Sequence, residues 1–330
     1  MYITTLSHDI PIDIVYTWVD GSDPVWMKEK QLWSTGKTED IRFKNIDELR
    51  YSIRSVDKYM PWVNKIYIVT SDLQTPTFLD FNNNKLVHIK HSDIFENKND
   101  LPTFNSNAIE ANIHKIPGLS RLFLYFNDDC FLGSSISMSD LCDKGRIIYN
   151  PNPYVHYGKI DDYIKNDPTN DYYKIIDNTK TMILNEFSDI TFNIPWHQAK
   201  LNDKTLCDVL NKKYKKEYDK VSQSRFRTSN DFSPIDFSYT YGLCSHRYVH
   251  AKYIYSMYAR FDRLNTDIVA LFLKELVNTK PKFFCLNNIK HDSPSIIDIK
   301  HTLNTLFHLP SRFETIRQIS SDLPQNIYDF

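Results

Sequence analysis

Leu122-Phe123-Leu124-Tyr125-Phe126-Asn127-Asp128-Asp129 is the stretch that decides the fold. Five large apolar residues in a row fit a strand covered on both faces, as strands of parallel sheets are. Such a strand has no structural use for paired acids at its carboxyl end. Adjacent carboxylates repel and resist desolvation, and a divalent cation, or a phosphate ligand carrying one, relieves both. Open α/β sheets collect ligands at the carboxyl ends of their strands. Asn-Asp-Asp is also good turn chemistry, so by itself the triplet reads at least as well as a solvated turn.

The flanking sequence repeats the pattern. Ile12–Trp18 reads as a strand stopped by the turn cluster Asp20-Gly21-Ser22-Asp23-Pro24. Asp47 suits a helix cap, Leu49, Ile53 and Val56 share a core-facing stripe, and Arg50 and Arg54 share another. Pro61 ends that helix, Lys65–Thr70 is a second strand, and Val87–Ile89 a short third. Residues 106–116 read as one helix leading into the Asp-Asp strand. The alternation predicts an α/β fold with a mostly parallel, Rossmann-like sheet flanked by helices.

Beyond Gly133 the pattern loosens, and 150–190, rich in Tyr, Asn and Asp, resists assignment. Leu206, Val209, Leu210, Tyr214 and Tyr218 mark an amphipathic helix, with Lys212–Lys216 a solvated face. A Tyr-rich helix is expected over 236–258, helices over 266–278 and 294–307, and a strand at Phe283–Leu286, making the C-terminal portion largely helical. The expected organisation is one catalytic domain over 1–330: an α/β core at 10–133, an acceptor region at 134–260, and closing helices with a strand at 261–330.

Composition excludes several classes. Forty basic against 41 acidic residues give a net charge of −1, which offers no attraction to nucleic acid or anionic lipid. Neither Gly-rich phosphate loop is present, so a nucleotide is held by other means. Five scattered cysteines without a C-x-x-C suggest reduced thiols and a cytoplasmic setting. No apolar run approaches membrane-spanning length, which leaves peripheral docking at the inner face of the plasma membrane open.

Four segments together resemble the Stealth family of sugar-phosphate transferases: IDIVYTWVDGSD (12–23), RFKNIDELRYSIRSVDKYMPWVNKIYIVT (42–70), LPTFNSNAIEANIHKIPGLSRLFLYFNDDCFLG (101–133) and the shorter FFCLNN (283–288). The family comprises bacterial capsule phosphotransferases and the catalytic subunit of the animal enzyme that makes the lysosomal mannose-phosphate tag. The resemblance implies a glycosyltransferase-A-like sheet and Mg²⁺ or Mn²⁺. It also implies transfer of hexose 1-phosphate from a UDP-sugar to a glycan hydroxyl, with release of UMP.

That resemblance gives the residues roles. Asp129, with Asp128 beside it, is the metal ligand, joined by Asn287; the family tends to carry an acid where Asn288 stands here. Glu110 is an active-site acid, and His114, four residues on, shares its stripe. His197 is the general base, since histidine titrates near operating pH, although Trp196 separates it from the Pro195 of the family pattern. Arg227 matches a phosphate-contacting arginine, with Arg225 secondary. Asp20, Asp23 and Trp18 are expected to bind the donor, and Arg42 and Arg50 its phosphates. Two other readings remain: an ordinary glycosyltransferase releasing UDP, and a non-catalytic glycan-binding protein on the same fold. The sugar, the acceptor and the oligomeric state stay open.

Overall fold

The computed structural model describes residues 10–34, 43–168, 170–188, 190, 192–250, 254–289 and 293–315. Its strands in chain order are β1 (Ile12–Thr17), β2 (Ile66–Thr70), β3 (Leu86–Lys90), β4 (Leu122–Asn127), β5 (Cys130–Leu132), β6 (Cys142–Asp143), β7 (Arg146–Tyr149), β8 (Pro151–His156), β9 (Asn193–Pro195), β10 (Lys200–Asp203), β11 (Tyr248–His250), β12 (Ser256–Arg260) and β13 (Phe283–Asn287). The main sheet has the order β10-β4-β1-β2-β3. β1 to β4 run parallel and β10 joins antiparallel at the edge. The mostly parallel α/β class expected from the sequence is what the chain adopts.

β4 is covered on both faces, as its apolar run requires: Leu122, Leu124 and Phe126 enter one cluster with Ile14, Ile53 and Val56, while Phe123 and Tyr125 enter another with Val15 and Tyr67. The first cluster is closed by the Glu48–Tyr59 helix, whose Leu49, Ile53 and Val56 are fully buried. Asp47 precedes that helix but does not cap it. Its φ of 73° is left-handed, whereas a capping side chain needs an extended backbone. Glu48 instead accepts from Ile46 N at 2.6 Å.

The helix expected over 106–116 is split into Ser106–Glu110 and a 3₁₀ turn, Ile113–Lys115. Asn112 sits at the break, its amide bonded back to Ala108 O (2.9 Å) and across to Ser222 Oγ (3.0 Å); a side chain that bonds locally to the backbone competes with helix continuation. The long helix expected over 236–258 is Pro234–Cys244 followed by β11 and β12. There the Tyr248 ring packs so closely on Gly242 that a Cβ would lie 2.7 Å from it. The region left unassigned, 150–190, holds β8 and the helices Ile160–Asn166 and Asp171–Leu184. The amphipathic helix near 206–218 is two, Lys204–Lys213 and Lys215–Gln223.

The three expected segments interleave. β10, from the 134–260 stretch, completes the main sheet, and β13, from the closing segment, pairs between β12 and β5 in a second sheet. Among the described residues no helix is long and apolar enough to cross a membrane.

Candidate active site

Strand direction brings the candidate residues together. In the parallel core Thr17 of β1 lies level with Val69 of β2 and Asn127 of β4, so these strands end at one edge. β10 runs the other way, with Lys200 opposite Tyr125. The chain entering β10, with His197 three residues before Lys200, therefore arrives where β4 leaves. β13 is antiparallel to β5, with Cys285 opposite Cys130, which delivers Asn287 to the same edge. There Asn287 Nδ2 donates to Asp129 Oδ2 at 2.8 Å, and Leu286 N to Asp129 O at 3.0 Å. Tyr258 Oη reaches Asn287 Oδ1 at 3.4 Å, and its ring meets the His197 ring edge to face at 5.4 Å.

Three carboxylates crowd this edge. Burial, then the charges of Asp129 and Asp47, push Glu48 up to about 7. Burial, then Glu48 and Asp129, hold Asp128 well above the usual carboxylate range. A set of hard oxygen donors that cannot all ionise without a counter-charge fits a divalent cation of the Mg²⁺ or Mn²⁺ kind. The Cys130 and Cys285 thiols lie beside Asp129, the three ligand atoms within 4.8 Å of one another.

Glu110 closes the other side. Tyr125 Oη donates to its Oε1 at 3.2 Å and also lies 3.1 Å from Thr17 Oγ1, linking the ends of β1 and β4 to the acid. Among the described residues Glu110 Oε2 is buried without a hydrogen-bond partner. Burial, then the charge of Asp236, raise Glu110 to about 7, against the pull of Arg227 and Lys200. Burial also lowers His197, opposed chiefly by Asp129, and so favours the neutral imidazole a base requires. Lys200 pairs with Asp236 at 3.2 Å, and the charges of both act on Glu110 and His197. Arg227 donates to Ser106 Oγ, at the first residue of the Glu110 helix. Its loop is fixed by buried Asp231, which accepts from Asn105 Nδ2 (2.7 Å), Thr228 N (3.2 Å) and Thr228 Oγ1 (3.1 Å). Asp129, Asn287, His197, Glu110 and Arg227 thus form one electrostatic neighbourhood drawn from four regions of the chain.

Other candidates are engaged differently. Asp23 caps the Pro24–Trp33 helix, accepting from Val25 N and Trp26 N. Asp20 closes a turn on Ser22, while Gln74 clamps its backbone from the β2 side. Trp18 is partly buried against the main core. The Arg50 guanidinium pairs with Glu314 at 3.3 Å and lies over the Phe78 ring, and Arg54 pairs with the same acid at 2.7 and 2.8 Å. Helical stagger aimed both arginines at a buried carboxylate that sequence distance concealed. Arg225 is likewise drawn elsewhere, bonded to the carbonyls of Pro102 and Asn99 and stacked at 3.9 Å on Trp33. His114 left the Glu110 stripe when the helix split; it is buried 3.8 Å from Asp208, and burial pushes it down to about 3. Asn288 has φ 57° and bonds to Asp262, a turn conformation that asparagine tolerates better than most residues. Arg42 lies outside the described residues.

Sequence reasoning missed Glu48, Lys200, Asp236, Tyr125 and Tyr258. Glu48 and Asp236 look like ordinary first-turn acids, and Lys200 and Tyr125 like strand residues. Only Tyr125 carried a hint, as a hydroxyl in an otherwise apolar run.

The chain is similar to several known proteins. Residues 11–38 match the model "Stealth protein CR1, conserved region 1" and residues 42–149 the model "Stealth protein CR2, conserved region 2". A receptor polysaccharide phosphotransferase of Streptococcus oralis is 30% identical over 341 residues, covering 92% of this chain and 99% of that protein. A capsular polysaccharide phosphotransferase of Haemophilus influenzae is 29% identical over 298 residues, covering 84% and 78%. An exopolysaccharide phosphotransferase of Streptomyces coelicolor is 30% identical over 316 residues, covering 92% of this chain and 52% of its own length; this chain spans about half or less of the Streptomyces relatives it matches. Among solved structures, the galactosyltransferase LgtC with donor and acceptor sugar analogs superposes with a TM-score of 0.45 at 11% identity, covering 94% of this chain and all of that one. Two family models in order and a full-length relative at 30% identity establish that this chain belongs to the Stealth family.

Proposed function

We propose that the protein transfers hexose 1-phosphate, or N-acetylhexosamine 1-phosphate, from a UDP-sugar to a hydroxyl of a growing surface or capsular glycan. The observation that carries this reading is the meeting of the His197 imidazole, whose Nε2 is buried without a hydrogen-bond partner among the described residues, with the Asp129–Asn287 hydrogen bond at one strand edge. His197 takes the proton of the acceptor hydroxyl, whose oxygen attacks the phosphorus bonded to the sugar. The bond from that phosphorus to the bridging oxygen breaks and UMP leaves, so the anomeric C–O bond survives. Arg227 offers a fixed positive charge to the phosphoryl oxygens, and Glu110 orients the acceptor or holds a proton close by. Positioning and charge do most of the work in such transfers. Asp129, Asp128 and Asn287 would hold the divalent cation, with Glu48 adjacent; bound there, it neutralises charge on the donor diphosphate. The setting that suits a UDP-sugar enzyme of this kind is the cytoplasm, at the inner membrane face where capsule is assembled.

Product analysis tests this. Incubated with Mg²⁺, a panel of UDP-sugars and capsule-type oligosaccharides, the protein should form UMP in an acceptor-dependent way. UDP as the product would move the attack to the sugar carbon and overturn the mechanism.

A further inference from the structure

We infer that the acceptor glycan is read along a row of aromatic rings running from solvent to His197: Tyr154, Trp196 and Tyr258. The inference rests on the acceptor reading of His197 and names how that substrate is held. The Tyr154 ring, on β8, is 78% exposed. Its centroid lies 5.9 Å from that of Trp196, Trp196 lies 6.3 Å from Tyr258, and Tyr258 lies 5.4 Å from His197. The row is unbroken, and its outer end is built rather than loose. Tyr154 N donates to Asn152 Oδ1 at 2.8 Å, and Tyr154 O accepts from Tyr163 Oη at 3.0 Å, so the backbone is held from two sides while the ring stays in water. β9 then carries the chain directly from its pairing with β8 into Trp196, whose N donates to Asn150 O at 3.0 Å.

One exposed tyrosine means little. The inner end supplies an independent observation. Trp196 and Gln198 are each 6% exposed, and Trp196 Nε1, His197 Nε2 and Gln198 Oε1 are all buried with no hydrogen-bond partner among the described residues. Three successive residues with orphaned polar atoms, one a donor, one an acceptor and one able to be either, make a costly arrangement for a folded chain to keep. A ligand dense in hydroxyls, able to donate and accept at short intervals, satisfies all three. The same ligand must lay apolar C–H faces on aromatic rings. A pyranose chain has both properties. Because these atoms are closed off from solvent here, the covering residues part when the inner sugar enters, while Tyr154 is available throughout.

The test separates binding from chemistry. Hexasaccharides prepared from purified bacterial capsular polysaccharides are immobilised as a panel and probed with the full chain in the absence of any UDP-sugar. The wild type should bind at least one member. Tyr154→Ala, a surface change, should weaken that binding about tenfold, the scale of one aromatic contact, and Tyr154→Phe should restore it. Trp196→Phe, which keeps a ring and removes the N–H, should weaken binding while leaving UDP-sugar affinity unchanged. In turnover, Tyr154→Ala should raise the acceptor KM and spare kcat. No binding by the wild type, or binding by Tyr154→Ala equal to wild type, would overturn the inference. Either result stands whichever nucleotide product is formed, so this failure is distinguishable from failure of the phosphotransfer reading.

Discussion

Asn287 donates its side-chain amide to Asp129 at 2.8 Å across 158 residues of sequence, joining the end of β13 to the turn after β4. The amide is the right group for that place. A carboxylate at 287 would add a fourth acid to Glu48, Asp128 and Asp129 and remove the amide donor that Asp129 Oδ2 receives from β13. Asn287→Asp should therefore cost about 1–3 kcal/mol of stability in chelator, the scale of a buried acceptor left unpaired. Millimolar Mg²⁺ should restore most of it, and restore more than it gives the wild type. Denaturant melts with and without Mg²⁺ check this; equal losses in both would remove Asp129 from any cation site.

Asp129→Asn should abolish turnover at every Mg²⁺ concentration yet leave the fold intact. The asparagine keeps a carbonyl oxygen for the Asn287 amide and removes one of three mutually repelling charges. Unfolding midpoints equal to or above wild type, together with loss of product, are the expected pair of results.

His197→Ala should lower acceptor-dependent turnover at least ~10²-fold, the usual share of a general base. UDP-sugar affinity, measured calorimetrically, should change little, because the role proposed for the imidazole is toward the acceptor hydroxyl. A loss under tenfold would place the base elsewhere.

Glu110 carries a pH signature. Its folded value is raised to about 7 against an ordinary 4.5, burial being the main cause. The folded state thus keeps its proton while the unfolded chain releases it. The stability this contributes is fully present below 4.5 and lost as pH rises through about 7. Glu110→Gln, which cannot ionise, should lose less stability than wild type between pH 5 and pH 8. Thermal unfolding of both proteins at the two pH values measures the difference; parallel losses would show that the carboxyl ionises freely in the fold.

Elements whose cause is local could be read from the sequence. β4 announced itself through a run of apolar residues that only a doubly covered strand needs, and Leu49, Ile53 and Val56 through helical spacing. Asp129, Glu110, His197 and Arg227 were singled out by family resemblance, while their convergence could not be read, because it depends on β10 running antiparallel to β4 and β13 antiparallel to β5. Glu48 and Asp236 stayed hidden because nothing near them in the chain distinguishes a buried acid from a helix-start acid. The 106–116 helix was misread because Asn112 spends its side chain on Ala108 and Ser222. The Arg50–Glu314 pair could not be read because its partners lie 264 residues apart.

Glu314 supports the last prediction. Its side chain is 1% exposed and receives Arg54 through two bonds, Nε at 2.8 Å and Nη2 at 2.7 Å, with Arg50 at 3.3 Å and Ser311 N at 2.8 Å. Arg54, 3% exposed at the side chain, also donates to Phe307 O, so the pair pins the C-terminal segment to the Glu48–Tyr59 helix. Removing one partner strands the other charge in the interior. Glu314→Ala should cost about 3–5 kcal/mol, whereas the double change Arg54→Met, Glu314→Leu should recover much of that loss. The arginines hold Glu314 below the usual carboxylate range, so its contribution is present above the ordinary glutamate value and disappears as pH falls through the lowered one. Urea unfolding of the three proteins at neutral pH, repeated in acid, should show the wild-type advantage over Glu314→Ala shrinking as the carboxyl protonates. An advantage independent of pH would mean that the pinning is steric rather than ionic.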